Sequence, residues 1–309
     1  MKKVVIAGGS GFLGQILSDH FKQQGYLVTV LSRNHRLDRG AVRYVKWDGQ
    51  TLGHWVASLE GADVLINLNG KSVDCRYNDA NKQAIYDTRI DATWVLGQAV
   101  KNVKQPPVLW INASSATIYR HAEDHAMDEC HGELGEGFSV DVCKKWEQSF
   151  FESHVDGVRQ VALRIAIVLG RSGGAFHRLR QMTRFGLGGR QGSGWQMVSW
   201  IHEQDFVRVV QWVCDHPGTT GIYNVCAPNP VTNSELMRTL RKALDVPVGV
   251  VMPIWLLRIG AKLIQTETEL ILKSRWVIPG RLSEEGFSFD FPRVSKALSD
   301  LIHPAIEPQ

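Results

Sequence analysis

Short apolar runs alternate with longer amphipathic stretches through the first two thirds of the chain. "KVVIAG" (3–8), "YLVTVLS" (26–32), "ADVLINLNG" (62–70), "PVLWINAS" (107–114) and "RQVALRIAIVLG" (159–170) read as strands. A run of four apolar residues suits a strand covered on both faces. Between these runs, 11–25, 81–103 and 141–153 carry apolar residues at helical spacing. Strands alternating with helices build βαβ units, so the pattern predicts an α/β fold: a doubly wound, mostly parallel sheet with helices on both faces. A further helix is expected over 200–216 and a late strand over 221–227. After about residue 228 the pattern changes to helices and short segments.

At 309 residues and 44% apolar content, the chain can bury a core for one large domain or two closely associated ones. Lys and Arg number 35 against 31 Asp and Glu, and the surplus of +4 is too small to point to nucleic acid. The five cysteines (Cys75, Cys130, Cys143, Cys214 and Cys226) are scattered and form no CxxC pair. That argues against a metal site and for a reduced compartment. "MKKVVIA" starts like a signal peptide, but glycines cut its apolar run short. "PIWLLRIGAKLI" (253–264) contains Arg258 and Lys262 and is too short for a bilayer. The expectation is a soluble cytoplasmic protein that binds neither nucleic acid nor membrane; a homodimer is compatible with it.

The clearest chemical signal is "VVIAGGSGFLGQIL". The strand runs into Gly8, Gly11 and Gly14, with Ser10, Phe12 and Leu13 between them, and an amphipathic helix begins inside the loop. Such glycines permit a tight turn and close backbone approach to a pyrophosphate, which then lies at the positive end of the helix. The second strand ends in "LSRN", where a site for NAD usually carries an acidic residue for the ribose. Ser32 and Arg33 offer a hydroxyl and a guanidinium instead, which suit a 2′-phosphate and favour NADP (NADPH). Asp48 is either an adenine contact or a turn residue. Leu68, Asn69 and Gly70 in "INLNG" would lie beside the cofactor's phosphates and ribose. The tail after about residue 228 reads as a smaller second domain closing over the strand ends.

Together, "GGSGFLG" (8–14), "NLNG" (67–70), "SSATIY" (114–119), "LRIAIVLG" (163–170) and "WIHEQDF" (200–206) resemble the extended short-chain dehydrogenase/reductases, and among them the nucleotide-sugar epimerases. "GLGGRQGSGWQMVSWIH" (186–202) and "PGRLSEEGFSF" (279–289) resemble an atypical branch labelled epimerase family proteins, some carrying an old cell-division-inhibitor label. The resemblance covers essentially the whole chain. It implies a Rossmann domain of residues 1–168 and 198–228, a smaller C-terminal substrate domain of 169–197 and 229–309, an NADP-type cofactor, and catalysis by a strand-end Ser or Thr with a Tyr and a Lys four apart on the next helix. It puts Ser115 on the serine, Ser139 on the tyrosine and Cys143 on the lysine. A serine hydroxyl is a far poorer acid than an activated phenol, and a thiol supplies no fixed positive charge. Lys144 and Lys145 project about 100° and 200° round the helix from Cys143.

Two local proton sources are left. Tyr119 lies four residues past Ser115, beside Arg120, and is either a proton donor or a packing aromatic. Cys143 is an acid, a nucleophile or a small buried filler. Thr117 either hydrogen-bonds substrate or caps the strand end. From Gly157 to His202 there is no Asp or Glu but seven arginines, which predicts a positive field suited to an anionic substrate. Arg190, flanked by glycines, and Arg281 are the expected substrate contacts. His202 and Asp205 are expected to cap a helix and join the two domains. Trp146, Trp195 and Trp200 are expected near the cleft. The reading is an NADP-dependent oxidoreductase or nucleotide-sugar epimerase-like enzyme acting on a small anionic, nucleotide-linked substrate; the alternative is a non-catalytic NADP(H) sensor.

Overall fold

Alternate residues of the central strands face opposite helix layers, and this alternation sorts the core into two halves. The structure, a computed structural model, describes residues 1–34, 36–263 and 267–303. In chain order its elements are β1 (Lys3–Ala7), α1 (Phe12–Gln23), β2 (Leu27–Ser32), β3 (Val42–Lys46), β4 (Val64–Asn67), α2 (Asp79–Asn102), β5 (Leu109–Ser115), α3 (Phe138–Glu152), β6 (Arg159–Ile165) and β7 (Ile167–Leu169). There follow α4 (Ala175–Met182), β8 (Met197–Val198), β9 (Trp200–His202), α5 (Glu203–Asp215), β10 (Gly221–Val225), β11 (Val231–Thr232), α6 (Asn233–Ala243), α7 (Ile254–Leu263), α8 (Glu269–Leu272), α9 (Gly280–Glu284) and α10 (Val294–Ile302). Among the described residues, seven strands form one parallel sheet in the order β10-β6-β5-β4-β1-β2-β3.

On one face Val4, Ile6, Val64, Ile66, Ile111 and Leu163 pack with Leu17 and Phe21 of α1 and with Phe206, Val209, Val210 and Val213 of α5. On the other, Val5, Leu65, Trp110 and Ala162 pack with Val95, Leu96 and Ala99 of α2 and Phe150 of α3. Both faces are therefore covered, which is why the strands read as continuous apolar runs rather than as alternating ones. A third cluster joins α6 and α10 through Leu236, Leu240, Val294, Leu298 and Leu301. Among the described residues no helix is long and apolar enough to cross a membrane.

Two elements differ from the sequence expectation. The apolar run 159–170 is two strands: the N–H of Ala166 still donates to Val225 of β10, but that of Ile167 donates to Ser199, and β7 pairs with β9 outside the main sheet. Residues 200–216 are likewise a strand and then a helix. The His202 ring accepts from the N–H of Gln204 at 3.1 Å and starts α5 there. Apolar periodicity cannot separate such neighbours, because strand and helix both bury Trp200, Ile201 and Phe206.

Candidate functional site

The chain winds outward in opposite directions from β1 and β4, so a cleft opens between their carboxyl ends. Two cavities of about 430 and 280 Å³ lie there. Both are lined by Gly8, Gly11, Leu68, Asn69 and Gly70, which makes them halves of one trough across the glycine turn. Gly8 has φ +74°, and a Cβ there would lie 2.9 Å from the backbone nitrogen of Asn69. A Cβ on Gly14 would overlap the backbone of Gly9, whereas one on Gly11 would meet no protein atom within 4 Å. No side chain caps α1 at Gly11, so its first-turn amides are left for another acceptor. The β4 end is held by buried Asn67, whose amide nitrogen donates to Asn112 at 2.7 Å and to Thr93 at 2.9 Å, while its oxygen accepts from the Asn69 N–H at 3.1 Å. These features fit the pyrophosphate of a dinucleotide.

The smaller cavity is lined by Ser10, buried Ser32, exposed Arg33 and Asp48. The Asp48 carboxylate accepts from the N–H groups of Gln50 and Thr51 at 2.8 and 2.9 Å and from the Thr51 hydroxyl. Those bonds, led by the hydroxyl's, hold its pKa down to about 2. Asp48 is thus the residue that closes a turn, and it lines the trough as part of that turn.

The larger cavity runs over the ends of β5 and β6 and the first turns of α3. Phe12, Leu13, Gly14, Ser115, Thr117, Ser139, Cys143 and Trp146 all line it. Ser115 Oγ accepts from the Thr117 N–H at 3.2 Å. Thr117 in turn accepts from Lys273 Nζ at its carbonyl (2.9 Å) and from Arg275 Nε at its hydroxyl (3.2 Å). Below this floor, buried Arg164 holds both carboxylate oxygens of Glu147 at 2.8 Å, and Ser114 donates to the same carboxylate at 2.6 Å.

A family model described as "NAD dependent epimerase/dehydratase family" matches residues 4–226. The chain belongs to this family. Residues 252–301 match a second model, "Domain of unknown function (DUF1731)". The chain is 30% identical to epimerase family protein SH2119 of Staphylococcus haemolyticus over 305 residues, 98% of this chain and 99% of that one. It is 31% identical to epimerase family protein YfhF of Bacillus subtilis over 97% of each chain. Among solved structures, human epimerase family protein SDR39U1 (isoform 2) with NADPH superposes with a TM-score of 0.87 at 28% identity, covering 98% of this chain and all of that one.

Several residues singled out in this epimerase/dehydratase-family chain lie elsewhere. Tyr119 lines neither cavity: its phenol is buried, donates to Asn224 at 2.9 Å and accepts from Arg164 at 2.9 Å. Burial also raises its pKa, although Arg164 opposes that. The strand-end turn at 116–118 sends the chain down into the apolar cluster of Ile118, Met127, Val140 and Val277. Tyr119 is therefore a packing aromatic and not the cavity's proton donor. Cys143 does line the cavity, but burial pushes its thiol up to about 12 against the pull of Arg89, which removes the nucleophile reading at neutral pH.

Arg190 and Arg281 line neither cavity. Arg190 donates to the Ser193 carbonyl at 2.8 Å; Arg281 stacks 3.9 Å over the Tyr223 ring and bonds to Thr220, Ile222 and Glu285. Other arginines of the acid-free stretch meet carboxylates from distant segments: Arg164 meets Glu147, Arg171 meets Asp300 and Arg178 meets Asp74. A local lack of acids in sequence is thus no lack of acids in space. Trp146 lines the larger cavity, Trp200 is buried beside Leu236 and Phe291, and Trp195 is exposed outside both cavities. Asp205 joins α5 to the C-terminal segment, accepting from the N–H groups of Asp290 and Phe291 at 2.9 and 2.8 Å.

Among the residues of the cavity wall that sequence reasoning missed, two are ionisable: Tyr77 and Arg89. Tyr77 stacks edge-on against Phe138 at 4.9 Å and shares a hydrogen bond of 3.3 Å with Ser139 Oγ. Arg89 lies over Trp146 at 5.1 Å and donates to the Lys71 carbonyl at 3.0 Å. The available signal was position: both follow the "NLNG" strand end, where the winding of the sheet reverses.

Proposed function

We propose that this chain is an NADPH-dependent oxidoreductase or epimerase-like enzyme acting on a small anionic, nucleotide-linked substrate. One observation carries the reading: a single trough has a guanidinium and a serine at one end, uncapped helix amides in the middle and a cluster of hydroxyls at the other. Arg33 and Ser32 would hold the 2′-phosphate, and the first turn of α1 the pyrophosphate. NADPH bound this way supplies a hydride at its nicotinamide. Ser115 would orient the reacting oxygen. Arg89 in the cavity wall, with Lys273 and Arg275 behind Thr117, favours an anionic group on the substrate. The NADPH in the human relative supports the cofactor choice. In this reading residues 1–168 and 198–228 hold the nucleotide. Among the described residues, none of 169–197 or 229–309 lines either cavity; in this reading that part reaches the site through Lys273 and Arg275, which hold Thr117.

The test is calorimetry with NADPH and NADH, followed by NADPH absorbance decay against a panel of keto acids and keto-sugar phosphates, and by chromatography of nucleotide sugars incubated with NADP⁺, because an epimerase returns its hydride and leaves no net absorbance change. NADPH binding stronger than NADH, with turnover of an anionic carbonyl compound that Ser115→Ala abolishes, supports the proposal. No binding of either nucleotide overturns it. Tight binding without turnover across the panel is the outcome expected of a sensor.

A further inference from the structure

Three side chains on the wall of the larger cavity carry a proton bound to a titratable heteroatom: Tyr77, Cys143 and Arg89. A guanidinium does not release its proton in a protein. The Cys143 thiol is buried at 5% exposure, among apolar neighbours that disfavour its anion. The phenol of Tyr77 differs from both in having a polar path behind it. Its hydroxyl is 3.3 Å from Ser139 Oγ, and Ser139 donates to Glu269 Oε2 at 3.4 Å. With the serine hydroxyl donating to the glutamate, the phenol is the donor in its own bond. The resulting chain, Tyr77 to Ser139 to Glu269, crosses from the cavity to α8 and joins three segments far apart in sequence.

We propose that Tyr77 is the acid and base of this site and that Ser139 and Glu269 relay its proton. The inference rests on the NADPH-dependent reading above and adds the residue that handles the proton. The hydride that a reduction needs would reach the substrate carbonyl carbon from bound NADPH, oxidised thereby to NADP⁺. The C=O π pair moves to oxygen, which takes the proton from Tyr77. The phenolate then takes the Ser139 proton, and Ser139 takes one arriving from solvent by way of Glu269. In the oxidative direction each transfer reverses, and the released proton leaves through Glu269.

The surroundings suit both directions. Glu269, Cys75 and the buried position favour the neutral phenol, while Ser139, Arg275 and Arg89 favour the phenolate. Burial dominates and holds the phenol above its ordinary value, so at neutral pH it carries its proton. Glu267 accepts from the Tyr77 N–H at 2.9 Å and from the Arg76 guanidinium at 3.3 Å, so its charge is paired away from the phenol. The ring is fixed by Phe138, so Tyr77→Phe removes the oxygen and leaves the packing in place.

The experiment titrates the full-length protein by tyrosinate absorbance, taking Tyr77 as the difference between wild type and Tyr77→Phe. It is run with saturating NADP⁺ and again with saturating NADPH. The two nucleotides differ by the positive charge on the oxidised nicotinamide. A phenol beside that ring should titrate about one pH unit lower with NADP⁺. Equal midpoints with the two forms overturn the proposal while leaving the cofactor reading intact; failure of either nucleotide to bind overturns both. For the panel compound that wild type reduces, Tyr77→Phe should slow single-turnover hydride transfer by about 10²–10³-fold, with nucleotide affinity changed by less than the roughly tenfold that marks a lost binding contact. Ser139→Ala, which breaks the relay but keeps the phenol, should slow it less and make the residual rate respond to added buffer acid. Wild-type transfer rates in Tyr77→Phe would overturn the assignment.

Discussion

Arg164 grips both oxygens of Glu147 at 2.8 Å directly beneath the strand-end hydroxyls, with the two side chains only 6% and 8% exposed. The pair also anchors Ser114 and the Tyr119 phenol, so it fixes the segment that carries Ser115. A buried ion pair is an uncertain source of stability, but an orphaned half of one is costly. Glu147→Ala is therefore expected to cost about 3–5 kcal/mol in urea denaturation. Glu147→Leu combined with Arg164→Leu should recover part of that loss. Should Glu147→Ala cost less than about 1 kcal/mol, the range of an exposed pair, the guanidinium has found water or another partner.

Gly11 and Gly14 should separate ligand binding from folding. A Cβ at position 11 meets no protein atom within 4 Å, so Gly11→Val is expected to fold with a Tm close to wild type while losing at least about tenfold in NADPH affinity, a loss of ~1.4 kcal/mol. At position 14 the new Cβ overlaps the Gly9 backbone, so Gly14→Ala should lower Tm even without nucleotide. Thermal scans with calorimetry check both. Undiminished NADPH affinity in Gly11→Val would mean that the nucleotide does not lie against the glycine turn.

Arg33 lines the smaller cavity from an exposed position at the end of β2. Arg33→Asp should weaken NADPH by about 10–100-fold, the worth of charge-assisted hydrogen bonds to a phosphate, and NADH much less. Equal weakening of the two nucleotides would count against the 2′-phosphate contact.

His202 makes stability depend on pH. Its ring is fully buried against Phe291 at 3.8 Å, and burial lowers its pKa to about 4, with Asp300 and Asp205 opposing that. An unfolded histidine takes its proton near pH 6.5, whereas the folded one resists until about pH 4. The contribution is therefore complete above pH 6.5 and is lost as pH falls through that interval, by roughly 2–3 kcal/mol. Denaturation midpoints from pH 7 to 4 should fall less steeply in His202→Gln; parallel curves would show that another group sets the dependence.

The glycine turn was legible because backbone geometry, helix start and ligand chemistry all impose demands on adjacent positions. Gly8, Gly11, Gly14, Ser32, Arg33 and the Leu68–Gly70 strand end all line the trough. The hydroxyls at 114–117 were legible as a strand end for the same local reason, but the direction of Tyr119 was not. A tight turn over 116–118 and an apolar cluster assembled from 127, 140 and 277 drew that ring inward. Arg190 and Arg281 misled in the opposite way. The glycines around Arg190 and the place of Arg281 in the C-terminal part suggested ligand contacts, whereas the partners that hold them are Ser193, Thr220, Ile222, Tyr223 and Glu285.

The order of apolar runs and the spacing of glycines by themselves determined a parallel sheet flanked by helices and a phosphate-binding turn at its first strand, because those features depend on residues within one or two turns of each other. Only the tertiary structure decided which side chains face the far end of the trough. The Tyr77–Ser139 contact spans 62 positions and the Lys273–Thr117 contact 156. Such contacts are set by how helices pack across the sheet, and packing depends on the summed shape of many side chains rather than on any local pattern.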